Sequence, residues 1–192
     1  MDENRTPVRA WAQAARAQAP VEWERMPELE LYMDQVIAYM EKHLAFYRRN
    51  EQSKTLTPSM INNYVKESLL HRPVNKRYNR THLAELMMVS LLKPVLPMAD
   101  IARLKNALSP QADGIPALYA QVCRAQTDSL TQAAGELEQC CAGGEPDSPE
   151  QLAMLAVQFA LRANAYRVAA ERMIETLAQT AAPQKAEKTE KK

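Results

Sequence analysis

An all-α chain, with at most a small two-stranded wing, is predicted by three features of the sequence. Only four of its 192 residues are glycine, and the good helix formers Ala, Leu, Met, Gln and Glu are abundant. Hydrophobic residues make up 46% of the chain, enough to build a core. Apolar residues recur at three- and four-residue spacing through most of the length, which is the period of an amphipathic helix rather than a strand.

The elements follow in order. Residues 1–26 read as an N-terminal extension, partly disordered, with a short helix over 8–18 bounded by Pro7 and Pro20. Glu28 to Phe46 reads as a helix, because Leu29, Met33, Val36, Ile37, Met40 and Leu44 form an apolar stripe. Tyr47 to Thr55 is polar and reads as a loop. Thr57 to Leu70 is the next helix, with Thr57 as N-cap and Pro58 at the tolerated first position. The basic segment His71 to Tyr78 then turns at Pro73 to Lys76 between two short strands. Asn79 caps a helix to about Lys93 that is apolar around most of its circumference, so it is expected at the centre of the core. Pro97 opens another helix, with Met98, Ile101, Leu104 and Leu108 inward.

After a break at 111–114, Ile115 to Cys141 reads as a long helix with Leu118, Val122, Leu130 and Leu137 inward. Residues 142–149, AGGEPDSP, hold two of the four glycines and two prolines and form a loop. A helix over 150–178 follows. Its Leu152, Ala156, Phe159, Ala163, Tyr166, Ala170, Met173 and Leu177 make a heptad-like seam. The charged end, residues 181–192, is expected to be a disordered tail.

Charge is unevenly placed. Residues 41–94 carry ten Lys and Arg against four Asp and Glu, whereas residues 114–180 carry four against eight. The formal net charge of +1 hides a segment suited to a polyanion. That segment also holds the order helix, basic hairpin, helix, helix, which is how a winged helix-turn-helix meets duplex DNA. On the exposed face of helix 57–70, Ser59, Asn62 and Asn63 are the candidates for base contact, since an asparagine can make a bidentate contact to adenine. Lys66, Arg72, Lys76, Arg77 and Arg80 are the candidates for phosphate contact. The structural alternative is that these are ordinary solvated polar residues.

These residues also carry two resemblances. The run resembles the MerR-type winged helix. The pattern of that family falls here on Tyr64 with Ser68-Leu69-Leu70, on Arg72 through Arg77, on Lys76-Arg77-Tyr78-Asn79, and on Met98-Ala99-Asp100-Ile101. Asn62 and Lys76 stand where MerR proteins usually have arginine, and the loop before helix 57–70 is longer than a tight turn needs. More closely, Leu29 to Val36 (LELYMDQV) with Leu56 to Lys66 (LTPSMINNYVK) resembles an uncharacterised bacterial family, domain of unknown function 1836, over about residues 27–108. That resemblance implies a DNA-binding regulator.

Other chemistry finds little support. His43, His71 and His82 are not at metal-ligand spacing, and Cys140-Cys141 lacks a third ligand, so no metal and no cofactor is expected. There is no Gly-rich phosphate loop and no recognisable nucleophile arrangement, so no catalysis is expected. The Met-rich set Met87, Met88, Met98, Met154 and Met173 reads first as core filler and second as the lining of a small-molecule effector site. Three cysteines, the lack of a signal-like apolar run and the lack of a membrane span lead to the expectation of a cytoplasmic protein that does not enter a membrane.

The expected organisation is a MerR-like winged-helix DNA-binding domain at 27–108 and a helical hairpin at 115–180 for dimerisation or sensing. Leu152, Phe159, Tyr166, Met173 and Leu177 would form the homodimer interface. The expected function is transcriptional regulation by binding double-stranded DNA. The alternative is a non-enzymatic adaptor that uses the same helix-turn-helix fold and the C-terminal seam to contact a protein.

Overall fold

The computed structural model describes residues 7–48, 56–108, 114–144 and 146–181. Seven α-helices dominate them, and the all-α class is as the composition predicts. Among the described residues there is no β-strand, only two isolated antiparallel bridges, Leu31 with Tyr78 and Val74 with Arg77. Residues 49–55, most of the loop expected at 47–55, and the tail 182–192 lie outside the described residues.

Helix α1 (Pro7–Ala17) is the short N-terminal helix. It packs by small residues: Ala12, Ala15 and Ala134 are buried against one another, with Phe46 and Leu137 alongside. Small side chains let the two backbones approach closely, and Arg16 closes the contact with a two-pronged bond to Glu138 (3.3 and 2.6 Å). The N-terminal segment is thus fastened to the C-terminal half of the chain from residue 7 onward.

Helix α2 (Met33–His43) begins five residues later than its apolar stripe implies. Leu31 is extended instead, because its N–H and C=O exchange hydrogen bonds with Tyr78 at 2.8 and 2.9 Å. Gln35 then accepts from the Tyr32 N–H at 2.9 Å, which serves the first turn. Helix α3 (Pro58–Lys66) starts as predicted, with the Thr57 hydroxyl accepting from the Met60 N–H at 3.2 Å. It ends earlier than Leu70. Ser68 takes φ +58, and the Leu69 and Ser68 N–H groups return to the Tyr64 and Val65 carbonyls at 2.9 and 3.2 Å. This is a Schellman stop, with serine where glycine is usual.

Helix α4 (Arg80–Leu92) is the centre of the core, as its apolar circumference predicts, and buries Leu83, Ala84, Leu86, Met87 and Val89. Helix α5 (Met98–Leu108) buries Ile101, and α6 (Gly114–Cys140) crosses α4 and buries Leu118 and Tyr119. Helix α7 (Pro149–Ala181) is capped by Ser148, whose hydroxyl accepts from the Gln151 N–H at 3.2 Å. Among its described side chains only Ile174 is buried. Its closest packing is on α5, and Ala170 joins Ile174 against the core. Its link to α6 runs through side chains, with Arg162 donating to Glu136 at 2.8 Å. The core therefore falls mostly under α2, α3, α4 and α5, while α7 lies along the outside.

Candidate nucleic-acid interface

Three elements present the basic segment. On α3, Ile61 and Tyr64 are buried, which turns Ser59, Asn62, Asn63 and Lys66 to solvent at i, i+3, i+4 and i+7. The Asn63 amide approaches the Met98 sulfur at 3.9 Å, so the start of α5 flanks this face. The helix has nine residues, about 13 Å at ~1.5 Å per residue.

The second element is the hairpin after α3. The Arg77 N–H donates to the Val74 carbonyl at 2.9 Å, with Asn75 and Lys76 at φ +51 and +62 between them. Two successive positive φ values define a type I′ turn, which matches the twist of paired strands. The turn thus lies one residue later than Pro73 to Lys76. Lysine adopts the left-handed conformation poorly, at a cost of about 1 kcal/mol against glycine. Arg72, Lys76 and Arg77 are all exposed. The hairpin is pinned to α2 by the Leu31–Tyr78 bridge and by Arg77, which donates to the Tyr32 hydroxyl at 3.0 Å with its guanidinium 5.1 Å from the ring centre.

The third element is the start of α4. Arg80 is half-buried and already engaged: its Nε donates to the Met26 carbonyl at 3.0 Å, and it pairs with Glu28 at 3.2 Å. Its side chain holds the 23–28 segment against α4, and this structural duty separates it from the other four cations. Lys66, Arg72 and Lys76 take part in no ion pair among the described residues. The sequence reading missed Lys93, an exposed cation just past α4 whose ammonium lies 5.3 Å from the centre of the Tyr64 ring and so beside α3. A cation directly after the last residue of α4 was the available signal.

Behind the exposed face lies a buried polar group. Glu85, 1% exposed, accepts from the His71 N–H at 2.9 Å, meets the His71 ring at 2.6 Å and pairs with Lys105 at 2.8 Å. Lys105 also donates to the Ser68 and Leu69 carbonyls at 3.2 and 3.1 Å. One carboxylate on α4 thereby fixes both the exit of α3 and the root of the hairpin. The sequence showed Glu85 only as one charge in an apolar helix.

The dimer candidates on α7 are not equivalent. Leu152, Tyr166 and Met173 are 45%, 66% and 71% exposed, whereas Phe159 and Leu177 are half-buried against this chain. Cys141 is buried and Cys140 exposed, and among the described residues no three His, Cys, Asp or Glu gather as metal ligands. Among the described residues no helix is long and apolar enough to cross a membrane.

The family described as Domain of unknown function (DUF1836) matches over residues 21–121. The chain belongs to this family. The DUF1836 region runs from the 3₁₀ turn at Trp23–Arg25 through the first turns of α6, and so contains α2 to α5 entire. Its two ends meet, because the Tyr119 hydroxyl donates to the Val21 carbonyl at 2.7 Å. The whole cationic face lies inside the DUF1836 region, and α1 and α7 lie outside it. No curated protein and no solved structure matches the chain.

Proposed function

We propose that this protein is a transcriptional regulator that binds duplex DNA as a homodimer, through a winged helix-turn-helix of MerR type. The observation that carries the reading is the exposed face of α3 followed directly by a rigid hairpin of exposed cations. Ser59, Asn62 and Asn63 face out beside Lys66, Arg72, Lys76 and Arg77. An α-helix about 10–12 Å across fits a major groove ~12 Å wide, where asparagine reads adenine. The hairpin would lie along the flanking phosphates. Lys93 adds a further cation beside α3.

The homodimer reading is supported by α7. The helix has 33 residues, and Leu152, Met154, Val157, Leu161, Tyr166 and Met173 remain exposed along it. Leu152, Tyr166 and Met173, at heptad spacing, share one face, and Met154, Val157 and Leu161 lie on the opposite one. An apolar row such as the first, left to water, is the mark of an interface, and a second copy about a two-fold axis is the commonest partner. The same row is what favours the adaptor reading, in which a different protein covers α7 and the cationic face meets an acidic surface.

Selection of bound duplexes from a random pool by the full chain separates the two readings. The DNA reading expects an enriched motif with two-fold symmetry. An unenriched pool, with the protein folded, rejects it.

A further inference from the structure

Beneath the α3 exit, α4, α5 and α6 line a half-open cavity of about 210 Å³. Met88, Val89, Ile101, Leu104, Leu118 and Val122 make its wall almost wholly apolar. Native cores hold few voids larger than a water molecule, and an apolar void of about 150 Å³ stays dry and admits benzene. By that scale this cavity holds a molecule of about eight or nine non-hydrogen atoms. It is too small for a helix or a peptide. The charged groups at its edge, Glu85 and Lys105, already neutralise each other at 2.8 Å. A charged ligand would therefore lose its hydration with no counter-ion to receive it.

Two of the wall residues connect the cavity to the surface face. Leu69 lines it directly, and its N–H and C=O are held by the Tyr64 carbonyl and the Lys105 ammonium. The stem of Lys105 lines it too, while its ammonium reaches the Ser68 and Leu69 carbonyls. Occupancy would press on the two groups that end α3 at Ser68, a residue with φ +58. Packed interiors respond to such pressure by shifting rather than compressing.

We propose that this cavity is a sensing site for a small uncharged apolar molecule, aromatic or branched aliphatic, whose binding is transmitted to the end of α3 and the root of the hairpin. The site stands whether or not α3 meets DNA.

Indole, nine non-hydrogen atoms and uncharged, is the probe. Titrated into the full chain without DNA, it should raise the melting temperature saturably below its solubility limit. It should also slow hydrogen exchange at the Leu69, Leu70 and His71 amides but not at those of α1. Val122→Phe, and independently Ile115→Phe, place a ring into the cavity from half-buried positions at its lip. Either variant, once shown by circular dichroism to be folded, should lose the indole response. A folded wild type with no saturable response, or a folded filled variant that binds indole unchanged, overturns the site. Binding that leaves exchange at Leu69 to His71 unaltered overturns the coupling. Failure of the duplex selection leaves all these readouts intact, so the two proposals fail separately.

Discussion

Lys105 on α5 and Glu85 on α4 face each other at 2.8 Å, and between them they hold the backbone at Ser68, Leu69 and His71. The Glu85 carboxylate is 1% exposed, and both its oxygens are engaged, one by the His71 N–H and the other by the His71 ring and Lys105. Glu85→Ala should cost about 3 kcal/mol, since Lys105 loses its counter-ion in a poorly hydrated place. The double variant Glu85→Leu with Lys105→Met should recover only part of that loss. It removes the stranded charge but leaves the Ser68 and Leu69 carbonyls without their donor. Urea unfolding of the two variants measures this; a Glu85→Ala variant within about 0.5 kcal/mol of wild type would show the network to be idle.

Ser68 and Lys76 occupy conformations that glycine fills without strain. Ser68→Gly should stabilise the chain by about 0.5–1 kcal/mol, the left-handed penalty less the added freedom of the unfolded chain. Lys76→Gly should stabilise it similarly while weakening DNA binding through the lost cation. Denaturant midpoints and binding isotherms read the two effects apart. A Lys76→Gly variant that binds as tightly as wild type removes the hairpin tip from the interface.

Readout by α3 has a sharper signature. Asn62→Ala should relax base preference at one or two positions by about 1–3 kcal/mol with little change in non-specific affinity. Asn63→Ala should do the same and also lose the contact with Met98. Repeating the duplex selection with each variant checks this, and an unaltered motif in both means that α3 is not the reader.

Burial pushes the His82 and His43 imidazoles below the ordinary histidine range. The unfolded chain therefore takes up protons more readily than the folded one as pH falls. Stability from these groups is present above about pH 6.5 and is lost as pH drops below it toward the folded values. His82 also accepts from the Asn79 N–H at 3.1 Å, a bond that glutamine can reproduce at this capping position. His82→Gln should keep the helix start and flatten the dependence of unfolding free energy on pH between about 7 and 5. An unchanged slope there assigns the acid sensitivity elsewhere.

Much of the fold was legible in the sequence, and the exceptions have physical causes. Helices α3 to α7 were marked by side-chain signals that act locally: Thr57, Asn79 and Ser148 as caps, prolines at the starts, and apolar rows at helical spacing. The start of α2 was not, because Leu31 is held extended by Tyr78, 47 residues away, and no local pattern encodes a distant pairing. The α3 stop was missed because serine rather than glycine occupies the left-handed position. On the cationic face, the exposure of Ser59, Asn62, Asn63, Lys66, Arg72, Lys76 and Arg77 followed from periodicity and turn chemistry. The duties of Arg80, Lys93 and Glu85 did not, since each depends on a partner brought near only by folding.

The exposed row on α7 gives the test of assembly. Tyr166 and Met173 are far more exposed in the single chain than Phe159, so they can be charged without disturbing its core. Tyr166→Asp with Met173→Asp should give folded monomers with much weaker DNA binding. Sedimentation that finds the unmodified chain monomeric at micromolar concentration sinks the dimer.

The central claim, that the face built by α3 and its hairpin grips duplex DNA, is tested most directly by the salt dependence of binding. Lys66, Arg72, Lys76 and Arg77 from two protomers would neutralise about eight phosphates, so log K against log salt should fall with a slope of about −7. Charge reversal at Arg72 and Lys76, which are exposed and outside any ion pair among the described residues, should weaken binding to every sequence alike. It should also flatten the slope by about 3.6. A slope near zero, or a doubly reversed protein that keeps wild-type affinity and slope, contradicts the account.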